Sequence, residues 1–308
     1  MPVTILYTIV SLSILGAVAA VVLYFVAQKF KVYEDPRIDL VEEMLPAANC
    51  GGCGFAGCRN FAETLLRSDS FEGLFCPVGG NETMSKIATL LGREAVMLDA
   101  RVAILRCNGS CEFRPRTNIY DGTPTCTIAS ALYGGDTGCQ YGCLGFGDCV
   151  TVCTFDALHM DPATGLPVVN DSRCTACGAC VKACPKNLFE LRKRWKGDKK
   201  IYVACMNEDK GGIARKNCSV ACIGCIKCFK VCPFDAIVMN NNLAFIDSDK
   251  CRLCRKCVPE CPTNSILEIG FPVRKQAKEQ PDGEAEKSDP ENIVSETKTH
   301  SQQNKEGE

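Results

Sequence analysis

Twenty-five of the 308 residues are cysteines, and they come in bunches. The stretches "CTACGACVKACP" (174–185), "CIGCIKCFKVCP" (222–233) and "CRLCRKCVPECP" (251–262) each repeat the spacing C-x2-C-x2-C-x3-C-P, while "NCGGCGFAGC" (49–58) sets three thiols in a glycine-rich loop. No other feature limits the fold so tightly, because the backbone must wind closely round each bunch and leave only short elements between them. A secreted disulfide scaffold is usually short and even in cysteine number; this chain is long, its count is odd, and its thiols sit in tight C-x2-C pairs. The pattern points to metal ligation in a reducing compartment. A net charge of -1 with no sustained basic surface gives no reason to expect a nucleic-acid partner.

The bunches are themselves repeated. Shifting the chain by 79 residues lays "CQYGCLGFGDCVTVC" (139–153) on "CSVACIGCIKCFKVC" (218–232), so that Cys139, Cys143, Cys149 and Cys153 fall on Cys218, Cys222, Cys228 and Cys232. Phe146 takes the place of Cys225. The match continues through "CTFDALHM" on "CPFDAIVM" and, after a two-residue difference in the intervening hairpin, through "CTACGACVKACP" on "CRLCRKCVPECP". Thr154 alone departs from the Cys-Pro ending kept at Pro185, Pro233 and Pro262. The first copy lacks its middle thiol but has Cys139 upstream, which is the expected substitute.

Each copy resembles a bacterial two-cluster ferredoxin, a small α+β fold in which three cysteines of one run and the last cysteine of the other share a [4Fe-4S] cube. For copy one the resemblance implies the sets Cys139, Cys143, Cys149, Cys184 and Cys174, Cys177, Cys180, Cys153. For copy two it implies Cys222, Cys225, Cys228, Cys261 and Cys251, Cys254, Cys257, Cys232. A zinc or metallothionein-like chain would need neither paired runs ending in Cys-Pro nor the apolar hairpins between them. The expected units are residues 139–190 and 200–270.

From Met1 to Gln28 no side chain is charged, and the apolar run is long enough to span a bilayer as a helix. Residues 1–28 therefore read as a membrane anchor. A cleaved signal peptide is the rival, since "AVAA" (17–20) resembles a cleavage site, but there is no basic stretch before it and the apolar run continues through Phe25. Lys29 and Lys31 follow the span, which places the bulk of the chain on the cytoplasmic side. Residues 34–92 read as a four-cysteine module. Asp35 caps a short helix with Pro36 at its first position and Ile38, Val41 and Leu45 on one face, ending before Pro46. Beyond it Cys50, Cys53 and Cys58 lie on the Gly-rich loop, and Cys76 returns after a helical stretch holding Phe61, Leu65 and Leu66. Taken alone, this set also suits a structural zinc ion.

Five sets use twenty cysteines and leave Cys107, Cys111, Cys126, Cys205 and Cys218. Three of these lie in the connection 93–138. They can join Cys205 or Cys218 in a sixth cluster, or all five are packed free thiols; no spacing among them repeats, which favours the second reading. Cys218 then is a relic of the position that Cys139 puts to use. His159 reads as a strand residue and Phe155 and Phe234 as core. Trp195 sits in the basic linker "PKNLFELRKRWKGDKK", and from residue 271 the polar tail is expected to be disordered. No Gly-rich dinucleotide fingerprint follows a strand, and no nucleophile has a base beside it, so the chain carries electrons without a hydride site.

The uncharged first span, "LPAANCGGCGFAGC" with the later Cys76-Pro77, and the ferredoxin repeats together resemble the B subunits of Rnf-type complexes. The resemblance implies an electron-transfer subunit of a membrane-bound assembly in the cell (inner) membrane, which oxidises reduced ferredoxin, reduces NAD and pumps sodium ions or protons. It implies the other subunits and soluble ferredoxin as partners, and no complete active site on this chain. An electron-carrier subunit of another membrane redox complex, such as one that reduces a redox regulator, shares these features; so, from a different class, does a zinc-stabilised interaction protein. Arg252, Arg255 and Lys256, with Arg192, Lys193 and Arg194 of the linker, form the expected docking surface for an acidic ferredoxin.

Overall fold

In the computed structural model, residues 2–29, 35–132 and 134–272 are described. Helix α1 (Pro2–Lys29) has 28 residues, about 42 Å at ~1.5 Å per residue. Its stretch Ile5–Lys29 is long and apolar enough to cross a membrane. Leu6, Tyr7, Leu15 and Phe25 are among the large apolar side chains exposed along it, an arrangement suited to lipid rather than water. The tail from residue 273 and Lys31 lie outside the described residues.

The four-cysteine module is a small helical body. Helix α2 (Arg37–Met44) buries Ile38 and Val41, helix α3 (Cys58–Arg67) buries Phe61, Ala62 and Leu65, and helix α4 (Gly80–Leu91) buries Met84, Ile87 and Ala88. These i, i+3, i+4 spacings put one apolar stripe on each helix, and the stripes close on Phe71 and Leu45. The helix begins one residue later than expected, yet Asp35 still caps it: its Oδ1 accepts the Arg37 amide at 2.9 Å. Truncating fully buried Leu65 to Ala would cost about 2–5 kcal/mol.

Both dicluster copies are α+β with the same plan. In copy one, β1 (Arg101–Leu105) pairs antiparallel with β4 (Phe189–Lys193), and β2 (Leu158–Asp161) forms a hairpin with β3 (Leu166–Val169). Three short helices stand between: α5 (Cys126–Leu132), α6 (Asp148–Thr151) and α7 (Ala179–Ala183). Copy two repeats this with β5 (Lys200–Val203) on β8 (Ile266–Ile269) and the hairpin β6 (Ile237–Asn240) with β7 (Leu243–Ile246). Its helices are α8 (Gly211–Asn217) and α9 (Lys227–Lys230). The outer strand pairs differ from the sequence expectation: residues 93–138 are not a mere connection, since they supply β1, and the basic linker supplies β4. Strand β4 is buried or half-buried along its whole length, with Phe189 and Arg192 buried on opposite faces, which explains why the charged letters misled. His159 is a strand residue, opposite Val168. Phe155 is only half-buried and Phe234 is 43% exposed, so neither belongs to the core.

Candidate iron–sulfur sites

Each dicluster ligand loop bends at the same two places. Left-handed residues recur as Gly145 and Gly147, Ala176 and Gly178, Gly224 and Ile226, and Leu253 and Arg255, always two and four positions after the first cysteine. Such turns aim successive backbone N–H groups into a concavity that favours negative charge. Copy one therefore keeps the loop even though Phe146 stands in it. Amides reach individual sulfurs elsewhere: Gly79 N to Cys76 Sγ at 3.3 Å, Leu188 N to Cys184 Sγ at 3.4 Å and Ser265 N to Cys261 Sγ at 3.2 Å. These hydrogen bonds stabilise thiolate-bound clusters.

Three expected sets are gathered as the run spacing implies. Cys222, Cys225, Cys228 and Cys261 line one small cavity, and Cys153, Cys174, Cys177 and Cys180 another. The thiols of Cys232, Cys251, Cys254 and Cys257 act on one another electrostatically. In the module, Cys76 feels Cys53 and Cys58, while Cys50 precedes them on the loop pinned by Asn49, whose Oδ1 accepts the Cys58 amide at 2.8 Å.

The fourth dicluster set differs. Cys143, Cys149 and Cys184 share their cavity with Cys126, and Cys139 is elsewhere. The expectation that Cys139 fills the missing place is corrected by the geometry, and its physical reason is a cap. Asp148, next to Cys149, accepts the Cys126 amide at 2.9 Å and the Thr127 amide at 3.1 Å. It thereby satisfies the first donors of α5 and fixes the Cys126 thiol at the site. Burial raises the Asp148 carboxyl, but these donors outweigh it and hold the group below the usual carboxylate range.

Cys139 instead lines a further cavity with Cys107, Cys205 and Cys218. The four come in two equivalent pairs. Leu105 faces Phe189 and Val203 faces Ile266, so Cys107 and Cys205 both sit two residues beyond the outer strand; Cys139 and Cys218 are the pair matched by the repeat. Asn207 donates its side-chain amide to Cys139 Sγ at 3.5 Å and its backbone amide to Cys205 Sγ at 3.4 Å. A Cβ on Gly109 would lie 3.3 Å from Cys218 Sγ and 3.7 Å from Cys107 Sγ, so its absence leaves the space between them open. Backbone bonds from Asn108 N to Ala204 O at 3.0 Å and from Ser219 N to Phe113 O at 3.0 Å tie the two copies together here. Sequence reasoning favoured packed free thiols for Cys107, Cys126, Cys205 and Cys218. The signal for the pairing was an apolar strand run ending two residues before a cysteine, as in "AILRC" and "IYVAC". Cys107 and Cys205 are 98 positions apart and Cys139 and Cys218 only 79, so copy one has nineteen extra residues that hide the match and carry Cys126. Cys111 is exposed and joins none of these sets.

The donor chemistry fits a bound iron–sulfur group. Burial pushes Cys143, Cys149, Cys180, Cys205 and Cys257 up to about 12 and Cys228 to about 11, with nearby thiols adding to the rise in each. Four such thiols lose their protons together only if positive charge is bound among them.

The sites also abut one another. A Cβ on Gly52 would come within 2.8 Å of the Cys177 carbonyl oxygen and 3.0 Å of Pro77 Cγ, so only glycine allows the module loop to rest on the Cys177 loop. Cys180 interacts with Cys149, Cys143 with Cys107, Cys205 with both Cys107 and Cys222, and Cys257 with Cys228. The expected basic surface is smaller than the sequence implied. Arg192 is 3% exposed and lies against Glu190, Lys193 pairs with Asp99 at 2.7 Å, Arg194 with Asp198 at 2.8 Å and Arg255 with Glu268 at 2.7 Å. Arg252 and Lys256 are exposed.

Comparison with known proteins finds iron–sulfur families along the chain. An Fe-S cluster family model matches residues 45–70, and a 4Fe-4S dicluster domain model matches 137–188 and 221–265. Cys107, Cys126, Cys205 and Cys218 fall outside these spans. The chain is 44% identical over 255 residues to the B subunit of the Na(+)-translocating ferredoxin:NAD(+) oxidoreductase complex of Acetobacterium woodii, covering 83% of this chain and 75% of that one. It is 40% identical over 281 residues to the B subunit of the proton-translocating ferredoxin:NAD(+) oxidoreductase complex of Clostridium ljungdahlii, covering 90% and 98%. The B subunit of the ion-translocating oxidoreductase complex of Methanosarcina acetivorans is 40% identical over 82% of this chain and 94% of its own length.

Proposed function

Since the chain belongs to the family of B subunits of ion-translocating ferredoxin:NAD oxidoreductase complexes, we propose that it carries electrons along six [4Fe-4S] sites in a single file. In order they are Cys50, Cys53, Cys58, Cys76; then Cys153, Cys174, Cys177, Cys180; then Cys126, Cys143, Cys149, Cys184. The file continues through Cys107, Cys139, Cys205, Cys218; then Cys222, Cys225, Cys228, Cys261; and ends at Cys232, Cys251, Cys254, Cys257. A bound [4Fe-4S] cube takes up and gives back one electron. The cysteines hold each site, the backbone N–H groups of the ligand loops stabilise its negative charge, and the packed apolar side chains exclude water. The observation that carries the reading is the cavity shared by Cys107, Cys139, Cys205 and Cys218, because it lies at the junction of the two dicluster units.

Helix α1 anchors the chain in the cell membrane with the iron–sulfur body on the cytoplasmic side, where Lys29 and Lys31 follow the span. Reduced soluble ferredoxin delivers electrons at the Cys254 end, and the module next to the anchor passes them to the membrane-embedded subunits, toward NAD. Ion translocation belongs to those partners, as α1 has no charged side chain between Pro2 and Gln28. Iron and sulfide analysis of the full chain, purified anaerobically in detergent, tests the count. About 24 irons per chain are expected, four per cube. Cys139→Ala and Cys218→Ala should each remove about four. A full complement of about 20, unaffected by Cys218→Ala, would return the chain to five sites.

A further inference from the structure

Arg114 is 8% exposed and its Nε is buried without a hydrogen-bond partner. Buried Arg192 and half-buried Arg106 both lie against Glu190, at 3.2 and 3.7 Å. Arg114 makes no ion pair among the described residues, and it lines the cavity of Cys107, Cys139, Cys205 and Cys218. Its place is built: any side chain on Gly142 would run into the guanidinium, and Gly109 lies beside its Cδ. Its charge acts on Cys107 and Cys218, and on Cys143 of the neighbouring set.

A guanidinium cannot shed its proton in a protein, and a buried one with no counter-charge is strongly destabilising. The anion it faces is the four-thiolate site itself. We propose that Arg114 is the counter-charge of the Cys107, Cys139, Cys205, Cys218 site and raises the reduction potential of the electron carrier bound there. This rests on the six-site reading. Reduction adds one negative charge to a water-poor space beside a fixed cation, so the reduced form gains more from Arg114 than the oxidised form does. Electron passage between the two dicluster units then meets a landing point at the junction instead of a barrier.

The test is an EPR-monitored redox titration of the full chain in detergent, with iron counted on the same samples. The signal lost in Cys139→Ala identifies the junction site. In Arg114→Gln that signal should persist with full iron, but its reduced-to-oxidised ratio at a fixed potential should fall about tenfold, a 59 mV drop for a one-electron couple. The other midpoints should hold, apart from a smaller drop for the Cys143 set, and Arg114→Lys should recover most of the shift. Unchanged midpoints at full iron would overturn the proposal. If Arg114→Gln loses four irons, retention of iron and midpoint by Arg114→Lys supports a charge role, and equal loss from both variants overturns it. A wild-type chain with no signal sensitive to Cys139→Ala overturns the six-site reading first, which is a different result from a signal that ignores Arg114.

Discussion

In copy two Cys222, Cys225 and Cys228 reach one cavity from seven consecutive residues, whereas in copy one Cys126 comes from an inserted helix to meet Cys143 and Cys149. The loop itself is the same in both, with left-handed residues at Gly145 and Gly147 matching Gly224 and Ile226. What changed is only which segment supplies the thiol. Sequence proximity suggested Cys139, yet Cys139 keeps the place that its counterpart Cys218 keeps, at a site built from both copies. A repeat thus conserves positions through its backbone, and a lost side chain is replaced from wherever the topology has left an opening.

The largest effect expected from this comparison is a whole cluster. Cys126→Ala in copy one and Cys225→Ala in copy two should each cost about four irons per chain by direct analysis. Phe146 is half-buried against Tyr120, ring centroids 5.5 Å apart, at the loop position of Cys225. Adding Phe146→Cys to Cys126→Ala should restore those irons, because the loop already has the ligating bend. Failure of the rescue, with the rest of the protein folded, would mean the loops are less alike than their backbone angles.

A middle-sized effect separates Asp148 from its counterpart Lys227. Asp148 caps α5 and so holds Cys126; Lys227 has no inserted helix to hold. Asp148→Ala should weaken the site by about 0.5–2 kcal/mol, as loss of a helix N-cap does. Chelator should then remove four irons several-fold faster, while Lys227→Ala leaves the rate unchanged. Equal sensitivity of the two variants would remove Asp148 from the ligand-positioning role.

Much of this was legible in the sequence and some was not, for identifiable reasons. The ligand runs announce themselves because a cube needs thiols at short fixed spacing, and the module's stripe of Ile38, Val41 and Leu45 appears because a helix buries one face. The apolar first span is equally plain. Strand β4 was hidden by its charges: Arg192 lies buried on an inward position, stacked 5.8 Å from the Phe245 ring with Arg106 5.0 Å away, so charged letters read as a solvated linker. The junction site was hidden by distance. Its thiols come from four segments, and while the repeat matches Cys139 to Cys218, Cys107 and Cys205 are marked only by their place two residues beyond a strand.

The smallest effect concerns the outer sites, where the copies again differ. In copy one the Cys177 loop is covered, since Gly52 of the module rests against its backbone. In copy two the equivalent Cys254 is exposed, with exposed Arg252 and Lys256 beside it and Arg255 held by Glu268 at 2.7 and 2.8 Å. The outer site of copy one is therefore covered by the chain's own module, and the outer site of copy two is open and basic. An acidic donor steered to that open site should reduce the protein more slowly as salt rises, because screening shortens the reach of exposed charges to ~8 Å at physiological ionic strength. Arg252→Glu with Lys256→Glu should lower the second-order rate with reduced ferredoxin by roughly tenfold at low salt, and the variant and parent should converge as salt increases. Because neither residue binds iron, the iron content should stay at the parent value, which separates a docking defect from a damaged site. A rate indifferent to both salt and charge reversal would close this site as the port.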